Sequence, residues 1–322
     1  MLSWIRDTFT PQILSSAQDR IDAKTEAAYQ AALNAPSAED LELRVKRGDV
    51  LTLETGSGIT TFAGDISAQI SGALVDVTEG AQCPGQLVLA PDHRYLAAEK
   101  TKAVFTVNSD TAVVRLNGVY QLAPSNAVDY NKLANALSSM GLFKGSDSGY
   151  GSGYDLEKAP TRIQGLIMFL RLMGEEHSAL QYVGNVTFSD VPDWALPYVA
   201  YAYDKGYTNG MGYDEQWRVI FGTDLPLKAQ DYVTFLLRAL GYSEGVDFKW
   251  ETALDDGLRL RVLTKGETTL LKSSAPFLRA QVAYLSYFAL QADYPGQNMT
   301  LQDRLVTMGA ITDIVDAGVP RL

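Results

Sequence analysis

The feature that most constrains this chain is a helical phrase written three times. APTRIQGLIMFLRLMG (159–174), DLPLKAQDYVTFLLRALG (224–241) and SAPFLRAQVAYLSYFAL (274–290) each begin with a short polar or Pro-containing lead. Each then passes through a base-x-Gln triplet and runs into an apolar helix. Helices apolar on so much of their circumference must bury against one another, so no copy is expected to fold alone.

A second half-unit precedes the first two phrases. It is a helix leaving through Gly-x-x-x-Gly: Tyr130 to Gly145, with Gly141 and Gly145, and Trp194 to Gly210, with Gly206 and Gly210. A shorter, blurred version runs from Phe248 to Gly266. The repeats therefore span about 125–180, 187–243 and 245–292, followed by a C-terminal helical tail, within a helical region 123–322. Before them, residues 37–122 change character. LELRV, VLTL, ITTF, ISAQI, LVDV, LVLA, YLAA, AVFTV and AVVRL alternate with turn signals such as Arg47-Gly48-Asp49 and Ala90-Pro91-Asp92. Short β-branched runs at this spacing predict a small antiparallel β-sandwich or barrel. In residues 1–36, Thr10-Pro11 has the form of a helix start, and Ile13, Leu14, Ala17, Ile21 and Ala28 form a thin apolar stripe ended by Ala35-Pro36. The predicted fold class is thus multidomain α and β: an N-terminal helix, a small antiparallel β domain and an all-α repeat region.

The chemistry of the triplet separates into two parts. Thr161 and Gln164 have capping-box spacing, which explains both without a ligand. Arg162 is not explained that way, because a cation in the first turn faces the positive end of the helix dipole. A base recurs here as Arg162, Lys228 and Arg279, each two residues before Gln164, Gln230 or Gln281. A recurring electrostatic cost points to an anion that offsets it, with helix N–H groups adding to the site. That anion is either a ligand or a nearby Asp or Glu of this acidic chain, whose net charge is −11. An Arg grips a carboxylate with two parallel hydrogen bonds, whereas Lys acts as a point charge. Trp194, after the turn Asp190-Val-Pro-Asp193, is expected to open a helix capped by Asp193 and to line the boundary between repeats. Burial in its own repeat is the alternative.

Other classes find little support. The bases are scattered rather than concentrated, which sets aside nucleic-acid binding. His93, His177 and Cys83 make no metal-ligand spacing, and no cofactor or metal is called for. The glycine-rich run 145–155 lacks the alternating acids of a calcium loop and reads as a flexible connection. Asp255 and Asp256 are adjacent and point apart on a helix, so no catalytic constellation assembles. No stretch reaches the length of a membrane span, and no export signal is written in the first thirty residues.

Phe188-Ser-Asp-Val191, Trp194, the Gly206 to Gly210 exit and Pro160-Thr-Arg-Ile-Gln164 leading to Leu170-Arg-Leu-Met-Gly174 resemble the S-layer homology (SLH) family over roughly residues 125–292. The resemblance implies a bundle of three helical repeats with pseudo-threefold symmetry. It implies grooves that hold an anionic secondary cell-wall polysaccharide, often pyruvylated, and a non-enzymatic role anchoring the protein at the extracellular cell surface, its signal peptide removed. The candidate ligand residues it implies are Arg162, Lys228, Arg279, Trp194, Gln164, Gln230, Gln281 and Gly210. In the family the helix-start motif is Thr-Arg-Ala-Glu. Here Gln replaces Glu in all three copies, and Leu227 and Leu278 stand where Thr would cap. An interaction scaffold whose degenerate repeats no longer bind sugar is the competing reading.

Overall fold

The computed structural model describes residues 40–146, 149–184, 188–272 and 276–322. The expected N-terminal helix lies outside them. Within them the protein combines antiparallel sheets with nine helices.

All nine β-branched runs form strands: β1 (Leu41–Lys46), β2 (Val50–Glu54), β3 (Gly58–Ala63), β4 (Ile66–Ser71), β5 (Leu74–Asp76), β7 (Gln86–Val88), β8 (Arg94–Ala97), β9 (Lys102–Val107) and β10 (Thr111–Asn117). Two short ones join them, β6 (Ala81–Gln82) and β11 (Tyr120–Ala123), so the β region ends one residue beyond 122. They pair into a six-stranded sheet, β1-β10-β3-β8-β5-β6, and a five-stranded sheet, β11-β2-β9-β4-β7. Period-two burial makes this a sandwich. Along β9, Ala103, Phe105 and Val107 are buried while Lys102, Val104 and Thr106 are not, and Leu51 of β2 sits opposite Phe105. The inner faces of both sheets meet over Leu51, Leu53, Ile59, Ile66, Tyr95, Phe105, Val114 and Leu116.

The helical region carries a separate core running from Tyr130 to Ile311. Its helices are α1 (Tyr130–Ser139), α2 (Arg162–Leu172), α3 (Glu176–Leu180), α4 (Leu196–Asp204), α5 (Ala229–Ala239), α6 (Ala253–Arg259), α7 (Lys265–Leu271), α8 (Arg279–Ala289) and α9 (Leu301–Thr307). A hairpin of β12 (Gly212–Tyr213) and β13 (Val219–Ile220) follows α4. The three apolar phrases are α2, α5 and α8, and each contacts the others' copies: α2 packs on α5 and α8, and the Tyr232 hydroxyl on α5 hydrogen-bonds Ser286 on α8 at 2.6 Å. The tail expected to be helical after residue 292 holds α9 and continues without a helix from Met308 to Leu322.

The halves ending in glycine behave as their sequence implies. Gly141 and Gly206 follow α1 and α4 in the left-handed region (φ 76° and 73°), and in the blurred copy Arg261 holds the same place after α6 at φ 62°. The expected cap at Asp193 is displaced. Residues 192–195 form a turn, Ala195 N–H donating to Pro192 O at 2.8 Å, and α4 starts at Leu196 with Ala195 as its N-cap.

The β-sandwich seats on the repeats through polar contacts. Arg44 donates to Asn135 at 2.7 Å, Lys46 to the Ser125 carbonyl at 2.8 Å, and Gln281 to Asp110 at 2.8 Å. The glycine-rich run, read as a flexible connection, is instead packed in its described part. Gly151, Gly153 and Tyr154 are buried, Gly151 N–H donates to Glu42, and Tyr150 stacks on Phe62.

Candidate functional site

The copies are joined by backbone hydrogen bonds just before each helix. Arg162 N–H donates to Leu225 O (2.8 Å), Ile163 N–H to Thr223 O (3.3 Å) and Leu227 N–H to Pro160 O (2.9 Å). The start of α8 meets the lead of the first copy similarly, Arg279 N–H to Lys158 O (2.9 Å) and Ala280 N–H to Leu156 O (3.0 Å). This pairing places the first-turn side chains against the neighbouring copy.

The capping chemistry fixes their register. At α2, Thr161 N–H donates to Gln164 Oε1 at 3.0 Å and Gln164 N–H to Thr161 Oγ1 at 3.4 Å, a complete capping box. At α8, Leu278 is the N-cap and its N–H donates to Gln281 Oε1 at 2.7 Å. At α5 the N-cap is Lys228 itself, and Asp231 receives its N–H at 3.1 Å. The sequence alignment of the middle copy is therefore shifted by one residue. Lys228, not Leu227, corresponds to Thr161 and Leu278, Ala229 stands where Arg162 and Arg279 do, and Asp231 rather than Gln230 stands opposite Gln164 and Gln281.

Asp231 is the organising group that sequence reasoning missed. Its Oδ1 lies 2.8 Å from Arg162 Nη1 and accepts the Trp250 indole N–H at 2.9 Å. Both charged side chains are 7% exposed. The Arg162 guanidinium also lies over Phe221 and Phe235, at 5.2 and 5.4 Å from the ring centres. Among the described residues its Nε has no hydrogen-bond partner, nor does the hydroxyl of nearby Thr234. These groups line a groove of about 370 Å³ whose walls include Arg162, Gly210, Met211, Asp231, Arg238 and Trp250. Arg238 pairs with Glu244 there and donates to the Tyr207 carbonyl at 2.9 Å. Two cations thus face two anions, and the wall carries no net formal charge.

Gly210 closes the groove's far side. A side chain at this position would meet Val219 Cγ1 at 2.6 Å and the Ile220 carbonyl at 2.8 Å, and its φ is +76°. Asp190, from the FSDV stretch, fixes the loop beneath: its carboxylate accepts the N–H groups of Phe221 (2.8 Å), Gly222 (2.6 Å) and Thr223 (3.1 Å). These three bonds account for the acid in that stretch without a ligand.

The other candidates fall elsewhere. Arg279 is 6% exposed and spends its donors on the protein, Nε on Tyr154 O at 2.7 Å and Nη2 on Lys144 O at 3.0 Å. Burial lowers its pKa, with the charge of Asp155 acting the other way. Lys228, Gln230 and Gln281 line a second cavity of about 390 Å³, where the leads meet Arg47 and Asp110 of the sandwich. Lys228 also reaches the Trp250 ring from outside the groove, 5.7 Å from its centre. Gln164 is an exposed cap. Trp194 is 60% exposed and lines neither cavity, so neither the boundary position nor core burial describes it. Trp250 takes the groove position instead. Its signal was present, since it opens the first half of the third copy much as Trp194 opens that of the second. Asp255 and Asp256 do point apart, to Lys272 and to Arg259. Among the described residues no cluster of three or more metal-ligating groups occurs, and no helix is long and apolar enough to cross a membrane.

No protein-family model matches this chain, and a comparison with curated proteins finds no match.

Proposed function

We propose that this chain is a non-enzymatic surface protein whose SLH-like repeats, arranged about a pseudo-threefold axis, bind an anionic secondary cell-wall polysaccharide chiefly in the Arg162 groove. One observation carries the reading: a buried guanidinium whose Nε has no partner among the described residues sits in a groove wall beside an indole. Arg offers a carboxylate paired donors, and a Trp ring offers a face to a sugar. The matched hydrogen bonds at the starts of α2 and α8 support the symmetric arrangement. Pairing of Arg162 with Asp231 refines the chemistry. Attraction is confined to contact range, so added salt weakens binding only modestly.

The scaffold reading is favoured by Arg279, whose donors are taken by backbone carbonyls, and it predicts no polymer binding at all. Co-sedimentation of the full chain with purified cell-wall sacculi, with and without their secondary polymer, separates the two. Met211, 52% exposed at the groove, supplies the control. Met211→Glu is expected to weaken polymer-dependent binding several-fold with unchanged melting, and Met211→Lys to strengthen it. Polymer-dependent binding indifferent to both changes would move the site out of this groove.

A further inference from the structure

The Arg162 groove has a counterpart on the third copy, and the chain itself fills it. Asn209 and Met211 lie three and five residues beyond the left-handed Gly206, and Thr264 and Gly266 lie equally far beyond the left-handed Arg261. Thr234 and Arg238 lie six and ten residues beyond the N-cap Lys228, and Tyr284 and Phe288 equally far beyond the N-cap Leu278. The first member of each pairing lines the open groove. The second member of each touches the segment 315–322. Thr264 Oγ1 donates to the Leu322 carbonyl at 2.5 Å, and the Tyr284 hydroxyl accepts the Leu322 N–H at 2.8 Å. A Cβ on Gly266 would meet the Leu322 carbonyl carbon at 2.8 Å, and the Arg321 guanidinium lies 5.6 Å from the centre of the Phe288 ring.

Arg321 supplies what the third copy lacks. In the second copy Arg238 pairs with Glu244 and donates to the carbonyl of Tyr207, the residue after Gly206. In the first, Arg171 at the same helix position pairs with Glu176, its Nε donating at 2.8 Å. The third has Phe288 there. Arg321 comes in from the tail, grips Glu267 through Nε (2.7 Å) and Nη2 (3.0 Å), and donates to the carbonyl of Val262, the residue after Arg261, at 2.7 Å. Glu267 is 1% exposed, so this acid is buried against its arginine.

We propose that the third-copy groove is a peptide-binding site that recognises an arginine side chain followed by an aliphatic residue, and that residues 315–322 are its intramolecular ligand. The site reads the guanidinium by a two-pronged carboxylate, a carbonyl and an aromatic face, with Tyr287 holding the peptide backbone upstream at Val315 and Ala317. The segment forms no helix or strand and is largely exposed on its outer side, while Ala317 and Val319 pack against the helical core beneath it. A groove built this way around a buried acid selects cations, which sets it apart from the groove at Arg162. The inference stands independently of the polymer reading.

Two measurements on the full chain test it. In a Cys83→Ser background, Gly266→Cys with Leu322→Cys should oxidise to an intramolecular disulfide in high yield, because the two β-carbons approach closely, about 3.2 Å before adjustment. Separately, Arg321→Glu sets an acid beside Glu267 and should empty the groove. A labelled peptide of sequence TDIVDAGVPRL should then bind that variant at least tenfold more tightly than the parent chain, and the same peptide with Lys for its Arg should bind several-fold more weakly. Failure of the disulfide to form in a folded chain overturns the docking. A peptide that binds variant and parent equally, or binds neither while the variant melts cooperatively, overturns the recognition site.

Discussion

Asp231 and Arg162 form the buried pair on which the groove depends, and the cost of breaking it follows from the surroundings. Each side chain is 7% exposed. Asp231→Ala leaves the guanidinium inside the protein with no counter-charge, and also strands the Trp250 indole N–H and the Lys228 N–H. Removing one partner of a buried pair costs about 3–5 kcal/mol. Arg162→Met should cost less, about 2 kcal/mol, because Asp231 keeps two N–H donors and the new side chain still fills the space between Phe221 and Phe235. The double variant should cost clearly less than the sum, giving a coupling energy of about 2 kcal/mol. Urea unfolding followed by tryptophan fluorescence and by far-ultraviolet circular dichroism measures all four corners of this cycle. A coupling below about 0.5 kcal/mol, with Asp231→Ala nearly neutral, would refute the argument. It would show that the two charges are solvated rather than mutually dependent.

Asp190→Ala removes the acceptor of three backbone N–H groups and should cost about 3 kcal/mol in the same unfolding assay, whereas Asp190→Asn should restore part of it. Arg261→Gly relieves a left-handed residue at φ 62° and should raise stability by up to about 1 kcal/mol, seen as a higher urea midpoint with an unchanged slope. On the sandwich, the His93 imidazole pairs with Asp76 at 2.7 Å. That hydrogen bond, helped by the charges of Asp76, Glu79 and Asp92, raises its pKa. The contribution of a raised histidine is fully present below its unfolded value, about 6.5, and fades as pH climbs through the folded value. The melting difference between parent and His93→Gln should therefore be largest in mild acid and shrink above neutrality. A difference that widened with pH would reverse the assignment.

Much of the β-sandwich was legible because burial on one face of a strand writes itself as alternation, as in AVFTV. Ala81–Gln82 and Tyr120–Ala123 escaped since two exposed residues, or a strand at the sheet edge, leave no such mark. The start of α2 was legible through Thr161 and Gln164. The start of α5 was misread by one residue, because Lys228-Ala-Gln230 imitates the triplet while the capping bond goes to Asp231. Arg162 and Gly210 were singled out from local pattern and do share one groove. Asp231 and Trp250 were not, for a physical reason. Asp231 looks ordinary in its own copy, Trp250 is marked there only by its likeness to Trp194, and only packing between copies brings acid, base and indole together. Trp194 shows the converse, since a conspicuous residue in a recognisable stretch ends exposed in a turn. Glu267 and Arg321 were invisible for the same reason as Asp231, their meeting spanning 54 residues.

The hydrogen bonds from Arg279 and Ala280 back to Lys158 and Leu156 bear on how the protein is made. A chain emerging residue by residue exposes the first copy's lead long before α8 exists, and α1, which packs against α8, waits as well. At ordinary elongation rates the interval is roughly 6–24 s. During it the nascent first copy presents open backbone groups and the apolar side of α1, with Leu133 and Leu137, to whatever else is nearby. On a polysome, the neighbouring nascent chain offers the same phrase in two other forms, so premature pairing between ribosomes is the characteristic hazard of this architecture. Shielding of the first copy until residue 280 has cleared the exit tunnel would remove that hazard.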